Sequence, residues 1–150
     1  MRAIVALMVG ALCAGLFAGA ADAAERYGKQ KVVYHINYTG GDGDKAYVAA
    51  LQNIRNHIEA VGAKNLDIKV VLHGDGVGLL KSATGSDPLK TAVVGLKSDN
   101  VGFQVCNFTL TRRKIDPAKD LFDVFAEDIV PSGVAEVAHL QTQGYAYIKP

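Results

Sequence analysis

The chain has 150 residues, 49% of them hydrophobic, and 16 Lys and Arg against 15 Asp and Glu leave a formal net charge of +1. That near-neutrality argues against a nucleic-acid binder, which presents a basic face. Beyond the N-terminal segment no apolar stretch is long enough to span a bilayer, and the remainder has the size of one ordinary domain.

Residues 1–23 read as a secretory signal peptide. Arg2 supplies a positive start, Ala3 to Ala18 is an apolar run, and Ala21-Asp22-Ala23 puts small residues at the two positions a signal peptidase reads. Cleavage is expected after Ala23, with Ala21 as the alternative site. An uncleaved anchor is the rival reading, and the Ala- and Gly-rich run with its cleavable end favours removal. Cys13 leaves with this segment; Gly10-Ala11-Leu12 before it lacks the leucine that a lipoprotein carries three residues upstream. The mature domain is then residues 24–150, exported to the periplasm. It holds one cysteine, Cys106, so no internal disulfide can form.

Lys31 to Ile36 (KVVYHI) and Asp67 to Leu72 (DIKVVL) predict strands. Between them Tyr47, Leu51, Ile54, Ile58 and Val61 recur at helical spacing, with Asp42 or Asp44 as the cap and Gly62 as the stop. Asp87-Pro88 opens a second helix carrying Ala92, Val93 and Leu96. Gly102 to Cys106 is the third strand, and a helix with Phe108, Leu110, Arg112 and Arg113 follows. Asp116-Pro117 breaks the chain again. Asp128 to Val130 reads as a short fourth strand, and Ser132 caps a helix with Val134, Val137, Ala138 and Leu140 that Gly144 ends. Tyr145 to Ile148 closes the chain as a strand. This alternation predicts a single three-layer α/β/α domain with a mostly parallel sheet of about five strands.

In such sheets ligands bind beyond the carboxyl ends of the strands. His35, His73 and Cys106 fall at those ends, with Gly74-Asp75-Gly76 directly after His73. Cys106 sits where a strand becomes a helix, and the unpaired N–H groups and dipole of a helix start favour a thiolate. The competing reading is a buried cysteine acting as a small hydrophobe. His35 and His73 are possible acid/base residues, or polar groups satisfied by backbone. With Cys106 and Asp75 they also make a zinc or copper set, which no HxxxH or CxxC spacing supports. Gly40-Gly41-Asp42-Gly43-Asp44 lacks the full ligand series of a calcium loop, and Gly74 to Gly78 lacks a phosphate-loop spacing. Arg112 and Arg113, six and seven residues along, are placed in solvent or against carboxylates, too far along the helix to touch the sulfur. His57 reads as a packing residue and His139 as a helix-surface one.

The segment Val105 to Ile115 (VCNFTLTRRKI) resembles the DsrE/DsrF-like sulfur-relay proteins, which include the TusD subunits and the YchN-like fold. The shared pattern is a cysteine ending the third strand, then a helix with leucine and paired arginines. The opening strand, the His73-Gly74 strand end and the tail Val130 to Val134 and Gly144 to Ile148 also fit, so the resemblance spans nearly the whole mature chain. It implies a small α/β subunit assembling as a homotrimer or homohexamer. It also implies that Cys106 carries persulfide sulfur between a donor and an acceptor, protein or small sulfur compound, by thiol exchange. No organic cofactor is needed. Asn107, Arg112, Arg113 and Asp75 are then candidate binding residues. Relay subunits are cytoplasmic, so the signal peptide departs from the pattern. The resulting expectation is a periplasmic sulfur carrier or sulfurtransferase-like protein. A non-catalytic oligomeric binding module using the same pocket is the alternative, followed by a His/Cys metal-binding protein.

Overall fold

The computed structural model describes residues 26–150, so the expected signal peptide and its cleavage site lie outside the described residues. Strand β1 (Gln30–Ile36) buries Val32, Val33, Tyr34 and Ile36, and β2 (Leu66–Leu72) buries Ile68, Val70, Val71 and Leu72. Such near-continuous apolar runs belong to interior parallel strands, which are covered on both faces. The sheet has five strands in the order β4-β3-β2-β1-β5, every neighbouring pair parallel. The remaining strands are β3 (Gly102–Cys106), β4 (Ile129–Val130) and β5 (Ala146–Ile148). All strand carboxyl ends therefore lie along one edge.

Among the described residues the sheet is surrounded by the α-helices α1 (Lys45–Val61), α2 (Gly78–Ala83), α3 (Asp87–Ser98), α4 (Asn107–Arg113), α5 (Pro117–Asp120) and α6 (Gly133–Thr142). Because strand side chains alternate, the sheet has two distinct faces. Val32, Tyr34, Ile36, Ile68, Val70, Leu72, Phe103 and Val105 point into the main core, which the buried residues of α1, α2 and α3 complete. Val33 and Val71 point the other way, where Val137 and Leu140 of α6 and Tyr145 make a cluster of five.

The expected strands and long helices are present, and the sheet is wholly rather than mostly parallel. Asp42 and Asp44 do not cap α1: no side-chain cap bond forms, and the Asp44 carboxylate accepts from the Ser82 hydroxyl instead. Gly62 does end α1, with φ 89° and its N–H donating to the Ile58 carbonyl. The break at Asp116-Pro117 is itself one short helix, α5, whose start is capped by Asp116 accepting from the Ala118 N–H. Helix α2, buried at Leu79, Leu80 and Ala83, falls where no helix is expected from the sequence. Among the described residues no helix is long and apolar enough to cross a membrane.

Candidate functional site

At the carboxyl edge, four side chains from adjacent strands stand on the thinner face in sheet order. Tyr147 comes from β5, His35 from β1, His73 from the end of β2 and Cys106 from the end of β3. Tyr147 pairs in register with Val33, which puts it on the same face as His35. Its hydroxyl is 2.9 Å from His35 Nδ1. The His35 and His73 rings stack, with centroids 4.7 Å apart and planes 26° from parallel. The Nε2 atoms of both histidines are buried without a hydrogen-bond partner among the described residues. Burial holds the pKa of His35 below the ordinary histidine value, helped by the neighbouring His73 and Lys149; burial alone does the same for His73.

Cys106 is 5% exposed. It ends β3 and serves as the N-cap position of α4. Burial acts to raise its pKa, and hydrogen bonds outweigh it. The bonds come from the Gly133 backbone, the Thr109 side chain and backbone, and the Phe108 backbone, and they leave the thiol below its ordinary pKa. Gly133 and Phe108 belong to different helices, so the starts of α6 and α4 converge on one sulfur. Gly133 is a tight fit there. A β-carbon added to it would lie 2.8 Å from His73 Cβ and 3.3 Å from Cys106 Cβ, so only glycine lets the α6 start reach between them.

A cavity of about 280 Å³ opens over the sulfur, lined by His73, Gly74, Cys106, Phe108, Thr109, Arg112, Arg113, Ser132 and Val134. The Gly74 N–H donates to Thr109 Oγ1 at 2.9 Å, which ties the end of β2 to α4. Gly76 anchors the same loop from beneath, since a β-carbon there would stand 1.9 Å from the Ile36 carbonyl oxygen. Arg113 donates to Asp75 at 2.8 Å, and Arg112 lies 5.7 Å over the Phe108 ring. A larger groove of about 610 Å³ lies between α1 and α3, lined by Val48, Leu51, Pro88 and Leu89 among others. Its lining has no thiol and no imidazole, so chemistry assigns the site to the smaller cavity.

The expected site residues are therefore only partly brought together. Cys106, His73, Arg112 and Arg113 line the same cavity; both arginines are exposed, and Arg113 pairs with the Asp75 carboxylate, in keeping with the reading that set them in solvent or against carboxylates. His35 stands behind His73, and Asp75 reaches the site through Arg113. Asn107 is exposed at the first position of α4 and does not line the cavity. Among the described residues no group of three or more His, Cys, Asp or Glu side chains is arranged to hold a metal ion. His57 accepts from Tyr34 and donates to Gln30, at 2.8 and 2.9 Å, and His139 is exposed. Gly133, Thr109 and Tyr147 were not singled out from the sequence. Ser132 just before Gly133 was read as a helix cap, and it is one, accepting from the Ala135 N–H.

The arrangement presents a thiol of lowered pKa at the floor of a small cavity, with two guanidinium groups and an imidazole on its wall. That is the equipment for nucleophilic attack on sulfur. The DsrE/DsrF-like family model matches residues 31–150. A solved protein of unknown function from Methanobacterium thermoautotrophicum is 30% identical, with a TM-score of 0.68; the match covers 81% of this chain and 100% of that one. No curated protein matches the chain.

Proposed function

The chain belongs to the DsrE/DsrF-like family, and from that premise we propose that it carries sulfur as a persulfide on Cys106. Family membership supports a sulfur-relay type of function in general. The observation that supports Cys106 as the carrier is the set of hydrogen-bond donors from two helix starts, which lowers the pKa of a thiol that opens into a cavity. In the loading step the Cys106 sulfur attacks the outer sulfur of a donor R–S–SH. The donor S–S bond breaks, R–S⁻ departs, and Cys106–S–SH remains; an acceptor thiolate takes the outer sulfur by the same exchange in reverse. No organic cofactor takes part.

Phe108 and Val134, 54% and 63% exposed on the cavity rim, favour a protein surface as donor or acceptor, because exposed apolar side chains around a site suit a partner. A periplasmic location and a homotrimeric or homohexameric assembly belong to the same proposal; cell fractionation and light scattering check them.

The decisive experiment is intact mass of the purified mature protein after incubation with a persulfide donor, with and without dithiothreitol. The expected result is a reductant-labile gain of one sulfur atom that Cys106→Ser abolishes. No adduct, together with a thiol that alkylates only after unfolding, overturns the proposal and leaves the non-catalytic binding module.

A further inference from the structure

We propose that His73 is the proton-transfer partner of Cys106, and that His35, stacked on it and tethered by Tyr147, is the positioning residue that keeps His73 ready to accept. The inference rests on Cys106 acting as the nucleophile.

Attack by a thiol requires its proton to go elsewhere, and the departing thiolate requires one. Among the cavity residues, the arginines cannot accept a proton and the hydroxyls of Thr109 and Ser132 are far too weak as bases at neutral pH. His73 is the one group of the lining with a suitable range. It begins beside the cysteine: Gly133 fits between the two β-carbons with no room for a methyl group. Its Nε2 is buried and makes no competing hydrogen bond among the described residues. Buried polar atoms are nearly always partnered, so an exception calls for an explanation. In the Nδ1–H tautomer that atom is a free lone pair, the form a proton acceptor needs.

His35 does not line the cavity. Its ring lies against His73 at 4.7 Å, so a proton on either imidazole opposes a second on its neighbour. The Tyr147 hydroxyl holds the His35 ring in place through Nδ1. His73 thereby rests neutral and takes up one proton transiently. The exchange balances as Cys106–SH + R–S–SH → Cys106–S–SH + R–SH. One S–S bond forms and one breaks, and the proton passes from Cys106 through His73 to the leaving sulfur.

Leaving-group basicity tests this. Second-order rates of Cys106 in the full mature protein are measured with dithiodipyridine, whose leaving thiolate needs no proton, and with hydroxyethyl disulfide, whose alkyl thiolate does. His73→Gln is expected to slow the alkyl reagent by about 10²-fold, the usual scale of general acid–base help, and the aryl reagent less, because only removal of the Cys106 proton is lost there. His35→Phe retains a flat ring, loses the Tyr147 bond and is expected to show the same split more weakly. Equal slowing with both reagents, or none, overturns the inference; so does a wild-type thiol unreactive toward both. Persulfide loading, read separately by mass, distinguishes the two proposals. A leaving-group split without loading retains His73 and removes the relay, and loading without a split does the reverse.

Discussion

On one face of the sheet Val32, Tyr34 and Ile36 of β1 meet the apolar sides of α1, α2 and α3; on the other, Val33 and Val71 pack against α6, and His73 and Cys106 line the cavity. The first face is wide and carries the larger apolar cluster. Among the described residues, the second has five buried apolar residues and three buried side-chain atoms without a partner, His35 Nε2, His73 Nε2 and Gln104 Oε1. Stability and chemistry are thus sorted by the parity of residues along the same strands. A one-residue slip in register would exchange the two sets, so the apolar alternation that builds the core also aims Cys106 and the histidines at the site.

The contrast breaks most visibly on the wide face. Phe103→Ala, at 1% exposure, should lose about 3–5 kcal/mol in urea unfolding. Tyr147→Phe, on the thin face and 43% exposed, should lose under about 1 kcal/mol, since only one hydrogen bond goes. Comparable losses for the two would contradict the division.

Gly133→Ala tests the junction between stability and chemistry. Helix propensity favours alanine by about 1 kcal/mol, while overpacking costs about 1–3 kcal/mol. The nearest clash is with His73 Cβ, an atom held by its own backbone, so overpacking outweighs propensity and the net loss reaches up to about 2 kcal/mol. Moving the Gly133 backbone away from the sulfur also weakens the backbone hydrogen bond that does most to lower the thiol pKa. The pH profile of Cys106 alkylation should then shift upward, and an unshifted profile would remove Gly133 from the account of the thiolate.

The smallest effect is in acid. His57 on the wide face and His35 and His73 on the thin face are all held below the ordinary histidine pKa, chiefly by burial. The unfolded chain therefore binds more protons than the folded one, and stability rises with pH. That contribution is complete above about pH 6.5, the unfolded value, and is lost as pH falls below it. Urea midpoints should drop between about pH 7.5 and 5.5. His57→Gln should flatten one part of the drop and the pair His35→Phe with His73→Gln another; a flat wild-type profile would contradict both.

Much of this division was legible in the sequence. Branched apolar runs marked β1 and β2, and strand ends in a parallel sheet necessarily share an edge, which brought His35, His73 and Cys106 into one row. The contacts that perfect the site were not legible, because they join segments far apart in the chain. Nothing local to Gly133 says what its backbone meets, and nothing local to Tyr147 says that β5 pairs with β1. Helix α2 begins at Gly78 after a glycine-rich run, against its local propensity; burial of Leu79, Leu80 and Ala83 overrides that. Arg112 and Arg113 looked remote when counted along α4. Helical side chains lean toward the N-terminus, and two long arginines leaning back reach the cavity above Cys106.

The bond between His35 and Tyr147 joins residues separated by 112 positions. In a chain made from its N-terminus, β1 through β3 are synthesised well before β5, and closing so long a loop is the slow kind of contact to form. The histidine stack can be in place while its tyrosine tether is still missing. A growing chain therefore holds Cys106 beside an imidazole pair that is not yet fixed, and the site is completed only with the last strand.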